Sequence, residues 1–169
     1  MATPFAALPL GSVRPLGWLL KQCELQRDGL TGEAEGIYPN DLGTNSAWLG
    51  GTGENWERGP YYYKGLIALA YTLNDDGLKQ KARKWMDWLL DHQGVDGYLG
   101  PVSNDDWWPR MIATYALRDY YDATADPRVP KVLDKYFHYM LANLPVPRMR
   151  RELNALPPMM SWSDNVGTP

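Results

Sequence analysis

Two short stretches of this chain concentrate the residue types that could do chemistry. Asn104 to Met111 read NDDWWPRM, and Gly53 to Gly65 read GENWERGPYYYKG. The first sets Trp107 and Trp108 among Asp105, Asp106 and Arg110; the second sets Trp56 and Tyr61 beside Glu57 and Arg58. An indole or phenol face beside carboxylates and a guanidinium suits an amphipathic ligand with an apolar ring face and hydroxylated edges, such as a sugar. The candidate substrate-binding residues are therefore Trp56, Glu57, Tyr61, Asp105, Trp107, Trp108 and Arg110. Trp107 or Trp108 would stack on the ring, and Asp105 and Arg110 would bind hydroxyls. Glu57 and Asp105 are weak candidates for a catalytic acid pair, which needs two carboxyls about 5–9 Å apart, a separation that sequence spacing does not show. A purely structural reading competes. In it Asp106 caps a helix, Pro109 sits in its first turn, one tryptophan packs inward, and Glu57–Arg58 is a surface pair of little energetic value.

Composition narrows the class. The 169 residues carry 17 Lys+Arg against 20 Asp+Glu, a net charge of −3, which is no footprint for nucleic acid. There are 8 Trp and 11 Tyr but only 2 Phe, a bias toward aromatics with a polar handle that suits a half-wet cleft. The single cysteine, Cys23, rules out an internal disulfide framework and reads as a small core residue. With it and two distant histidines, His92 and His138, no metal site and no cofactor are expected in this chain. The first residues lack a charged signal-peptide start, and no apolar run approaches a membrane span. A cytoplasmic location is the default expectation, with no membrane partner.

The elements that must position these residues are helices. Leu16 to Gln26 carries Leu16, Leu19, Leu20 and Cys23 at helical spacing. Asp28 to Glu54 is rich in Gly, Asn and Thr and reads as a long irregular segment with room for a short helix. Helices are then predicted over Pro60–Leu73, Leu78–Gln93, Pro109–Thr124 and Val129–Leu144, parted by the turns NDDG, GVDGYLGP and ADPR. Asp96 and Gly97 fix a turn, His92 sits at a negative helix end, and His138 lies on an exposed side. The last helix shows an apolar face of Val129, Val132, Leu133, Tyr136, Phe137, Met140, Leu141 and Leu144. Tyr71 answers to Tyr121, Leu78 to Val129 and Met86 to Phe137, a helical hairpin repeated about every 50 residues. Strand signals are absent, so the fold class is all-α, with about three hairpins over residues 1–144 and an irregular Pro-rich tail over 145–169. A hairpin stack that stops there leaves an apolar side uncapped. It calls for the remainder of a larger ring or for a self-association partner.

The runs FAALPLGSVRPLGWLLKQCELQRDGL, WLGGTGENWERGPYYYKGLIALAYTL, HQGVDGYLGP and DDWWPRMIATYALRDYYDAT, in that order, resemble the beta-L-arabinofuranosidase-like family of glycoside hydrolases. The likeness spans about Pro4 to Leu144. It implies part of an (alpha/alpha)6 toroid, six hairpins around a central cleft, of which this chain is the N-terminal portion. It implies action on L-arabinofuranosides or related plant-type glycans. It also implies that the zinc-bound cysteine nucleophile, the other zinc ligands and the main acid/base glutamate of full-length members lie beyond this stretch. Cys23 does not match that cysteine, and Asp105 falls about where characterised members carry a histidine. By this resemblance the chain supplies sugar-binding residues and is inactive alone. Two other readings stand beside it. One is a terpene- or prenyl-handling helical toroid, for which NDDG at Asn74–Gly77 is a faint acidic motif. The other is a non-catalytic helical carbohydrate-binding module that closes its own surface.

Overall fold

The computed structural model describes residues 8–144. The tail expected over 145–169 lies outside the described residues. Six α-helices follow in order: α1 Gly17–Asp28, α2 Leu30–Ile37, α3 Arg58–Leu73, α4 Asp76–Asp91, α5 Trp107–Thr124 and α6 Arg128–Asn143. A short 3-10 turn, Ala47–Leu49, stands between α2 and α3, and there is no strand among the described residues. The chain is all-α, as its periodicity predicts.

Helix ends are set by polar residues that apolar periodicity does not register. Asp75 accepts a hydrogen bond from the Leu78 amide at 2.9 Å, so α4 starts two residues before its first apolar position. Asp106 accepts from the Trp108 amide at 3.0 Å, which draws both tryptophans into the first turn of α5. Left-handed residues stop α3 at Asn74 (φ 58°) and α5 at Ala125 (φ 53°), and each turns the chain straight into the next helix.

The helices form two layers. Each odd-numbered helix pairs with the helix that follows it, α3 lies between α1 and α5, and α4 touches α6. The α3–α5 seam is the tightest part. Tyr63, Leu66, Ile67 and Ala70 are buried on α3, and Ala113, Ala116, Leu117 and Tyr120 occupy the same positions 50 residues on. The alanines let the two helix axes approach closely. In the second layer the period appears as bonds between successive pairs. Lys81 donates to the Gly32 carbonyl, Lys84 pairs with Glu35, and Trp85 Nε1 donates to the same carboxylate at 2.9 Å. Further on, Arg128 reaches Asp87 at 2.6 Å and Asp91 at 3.2 Å, while Gln93 donates to the Val132 carbonyl at 2.9 Å.

One predicted face is not a core. No residue of α1 is buried; Leu16 and Leu19 are exposed, and Leu20 and Cys23 are half-buried toward the body. Helix α1 rests mainly on α2 and α3, with one edge turned to them. Helix α6 likewise buries Val129, Val132 and Tyr136 but leaves Phe137 and Leu141 open.

Candidate functional site

The segment that the sequence leaves irregular is pinned around one side chain. Trp48 is fully buried, meets Tyr63 edge-to-face at 6.2 Å, and donates from Nε1 to the Trp56 carbonyl at 2.8 Å. Gly59 and Gly100 make room for it. A Cβ on Gly100 would stand 2.4 Å from the indole ring, and one on Gly59 2.9 Å. Asn45 closes the loop by accepting from the Thr52 amide at 3.1 Å and donating to Asn40 at 2.9 Å. The loop therefore delivers Glu54 to Arg58 to a fixed place at the start of α3.

At that place the starts of α3 and α5 are cross-linked in both directions. Trp56 Nε1 donates to Asp106 Oδ2 at 2.8 Å, and Trp108 Nε1 donates to Glu57 Oε2 at 2.7 Å. Each loop thus gives one indole and takes one through a carboxylate. Asn55 and Asn104 reinforce the joint: Asn55 donates to the Ser103 hydroxyl at 3.1 Å, and Asn104 to the Asn55 carbonyl at 3.0 Å. Glu57 occupies the cap position of α3 without capping it; Glu54 does so instead, accepting from the amides of Trp56 and Arg58 at 3.0 and 3.3 Å. Glu57 is thereby left facing Trp108, and a carboxylate with about four acceptor sites keeps room for further donors. The Trp108 amide and the Trp56 indole hold the Asp106 carboxyl below the usual carboxylate range.

Beside this rim opens a groove of about 570 Å³ between α2, the 38–42 loop and the first turn of α3. Tyr38, Tyr61 and Tyr62 line it with aromatic rings, Leu30 and Leu42 with aliphatic side chains, and Glu57, Arg58 and Asp41 with charged groups. Arg58 is paired with Asp41, and the Tyr62 hydroxyl donates to the Thr31 carbonyl at 3.1 Å. Tyr38, Asp41 and Tyr62 were not among the residues predicted for a site. Tyr38 and Asp41 lie in the segment too irregular to place, and Tyr62 lies in the predicted helix beside Tyr61, where its sequence position alone did not single it out.

Of the seven predicted residues, Trp56, Glu57 and Trp108 meet at the rim, and Tyr61 joins Glu57 in the groove. Asp105 is exposed on the same loop. Trp107 and Trp108 divide: Trp107 is half-buried with its ring 5.9 Å from Tyr139, while Trp108 remains half-exposed. Arg110 lies apart from the rim residues. It is 1% exposed, and its guanidinium faces inward. It donates to the carbonyls of Pro101, Asn104 and Asp106 and stacks 4.2 Å from the Tyr98 ring. A charge so placed ties the loop to α5 and has no donor aimed at the cleft. Its Nε and the nearby Tyr63 hydroxyl have no partner among the described residues, and burial pushes the Tyr63 hydroxyl well above its ordinary value.

The remaining motifs have structural work. Asn74 ends α3, Asp75 caps α4, and Asp76 pairs with Lys79 at 3.2 Å, so NDDG is a helix junction. Asp96 accepts from the Tyr98 amide at 3.0 Å within its turn. His92 stacks on Trp88 at 4.9 Å, and His138 is exposed beside Asp134. No three His, Cys, Asp or Glu side chains among the described residues come together as metal ligands. No helix among them is long and apolar enough to cross a membrane. No family model, curated protein or solved structure matches this chain.

Proposed function

We propose that this chain is the sugar-binding, N-terminal portion of a glycoside hydrolase built as an (alpha/alpha)6 toroid. Its substrates are L-arabinofuranosides or related plant-type glycans, and its main catalytic residues lie outside this stretch. The observation that carries the reading is the reciprocal indole–carboxylate joint opening onto a tyrosine-walled groove. Trp108 and Tyr61 offer ring faces for the C–H side of a furanose, while Glu57 and Asp105 accept from its hydroxyls. The two-layer order of the helices and their 50-residue period are what successive hairpins of a toroid require. Glu57 already holds the Trp108 indole and serves as a binding group in this reading. A self-contained binding module is less well supported, because α1 and α6 keep large apolar side chains uncovered.

The test is titration of the purified chain with L-arabinose-containing oligosaccharides, followed by nitrogen-edited NMR. Trp108→Ala and Tyr61→Ala are each expected to weaken binding about 5- to 10-fold, the loss of one stacking face. Unchanged binding in both folded variants overturns the platform. Hydrolysis of an aryl L-arabinofuranoside by the chain, abolished by Glu57→Gln, overturns its assignment as non-catalytic.

A further inference from the structure

Most polar groups of the groove beside the rim are already engaged. Arg58 pairs with Asp41, and the Tyr62 hydroxyl donates to the Thr31 carbonyl at 3.1 Å. Burial, and after it the charges of Glu35 and Glu33, push that hydroxyl above its ordinary range, so it stays uncharged. Glu57 keeps acceptor positions open and is shared with the rim, where it holds the Trp108 indole at 2.7 Å. What the groove leaves open to a ligand is chiefly carbon surface: Leu30 is 64% exposed, and Tyr38 and Tyr61 are each 47% exposed. That surface lines a volume of about 570 Å³, the size of a small-molecule pocket and not of a protein interface.

These features select among occupants. A sugar ring entering the groove would give up water at each hydroxyl and find few free partners there; the rim supplies them instead. An ionised group would have to part Arg58 from Asp41. An uncharged aromatic ring needs no polar partner and gains edge or face contact with the tyrosines. Rim and groove meet at Glu57, so one ligand can reach both. We infer that the groove holds an uncharged aromatic group attached to the sugar at the rim, which makes the substrates aryl-substituted glycosides. This rests on the sugar-binding role proposed for the rim and adds the chemistry of the group beyond the sugar. Leu30 and Tyr38 are then specificity-determining residues, in contact with the aromatic group and not with the sugar.

The test is titration of the full chain with methyl and phenyl L-arabinofuranosides of the same anomer, and with phenol, followed by carbon- and nitrogen-edited NMR. The phenyl glycoside is expected to bind about 10-fold tighter than the methyl glycoside, through burial of the ring. It should also move the Leu30 and Leu42 methyl resonances, which the methyl glycoside leaves in place. Leu30→Ser and Tyr38→Ser change exposed side chains outside the indole–carboxylate joint. Each should cut the phenyl advantage to about 3-fold or less and leave methyl-glycoside affinity unchanged, whereas Tyr38→Phe should retain the advantage. Equal affinity for the two glycosides, or an advantage that survives both serine substitutions, overturns the inference. Two further outcomes separate it from the reading of the rim. If the methyl glycoside moves the Trp108 indole resonance while the phenyl glycoside and phenol leave Leu30 and Leu42 unmoved, the rim binds sugar and the inference falls. If phenol moves Leu30 and Leu42 while neither glycoside moves Trp108, the rim reading falls, and the claim that the ring is carried on a sugar falls with it.

Discussion

Trp56 and Trp108 are half-exposed and yet fixed, because each indole N–H is held by a carboxylate from the neighbouring loop. That is how a side chain can offer a ring face without paying for its freedom at the moment of binding. The tryptophans, the acids and their adjacency were legible in NDDWWPRM and GENWERG. Which polar groups stay at the surface was not, because Arg110 and Asp105 are both charged residues of one short stretch and differ in the direction of their side chains, one buried and one exposed. Arg110→Met should lower stability by about 3 kcal/mol, since it strands three loop carbonyls in the interior, and chemical denaturation measures it. Asp105→Asn, on an exposed side chain, should leave stability within about 0.5 kcal/mol and alter ligand affinity instead. Asp106 has its folded-state pKa depressed, first by the Trp108 amide and then by the Trp56 indole. Its contribution is therefore present above the ordinary carboxylate value of about 3.9 and is lost as pH falls through the lower folded-state value. Tryptophan fluorescence should report the rim loosening in that acid window, and Asp106→Asn should remove the transition.

At the scale of elements, α3 to α6 were readable because each buries a stripe of apolar residues against more than one neighbour. Their ends were displaced by up to two residues because Asp75 and Asp106, not the apolar stripe, start the helices. The loop before α3 was opaque for a different reason. Its order comes from a single buried indole and from glycines that admit it, and neither leaves a periodic trace. The same physics makes that loop easy to break. Gly100 has φ +86° and a built Cβ would meet the Trp48 ring at 2.4 Å, so Gly100→Ala adds a clash to an unfavourable backbone. A loss of about 2–3 kcal/mol is expected, and Trp48→Ala should cost about 3–5 kcal/mol by opening a cavity beside Tyr63. Both losses should appear in urea denaturation, with sugar affinity falling as well because the loop positions Glu57. If Gly100→Ala melts like the parent, the loop is not anchored through Trp48.

Over the whole molecule, stability is unevenly distributed because the stack is nearly one-dimensional: each pair is held by its neighbours. The α3–α5 seam has neighbours on both sides, whereas α1 buries no residue and leans on one edge. The repeat itself could be read from Tyr71 and Tyr121 or Leu78 and Val129, but burial could not be read from the repeat. Met86 and Phe137 hold equivalent places, and one is core while the other is surface, because burial depends on rank in the stack and not on the residue. Native-state hydrogen exchange can test this gradient. Amides of α3 and α5 should exchange slowest, near the rate of global unfolding, and those of α1 fastest, through local opening. Protection of α1 equal to that of α3 would mean that this helix does not open on its own.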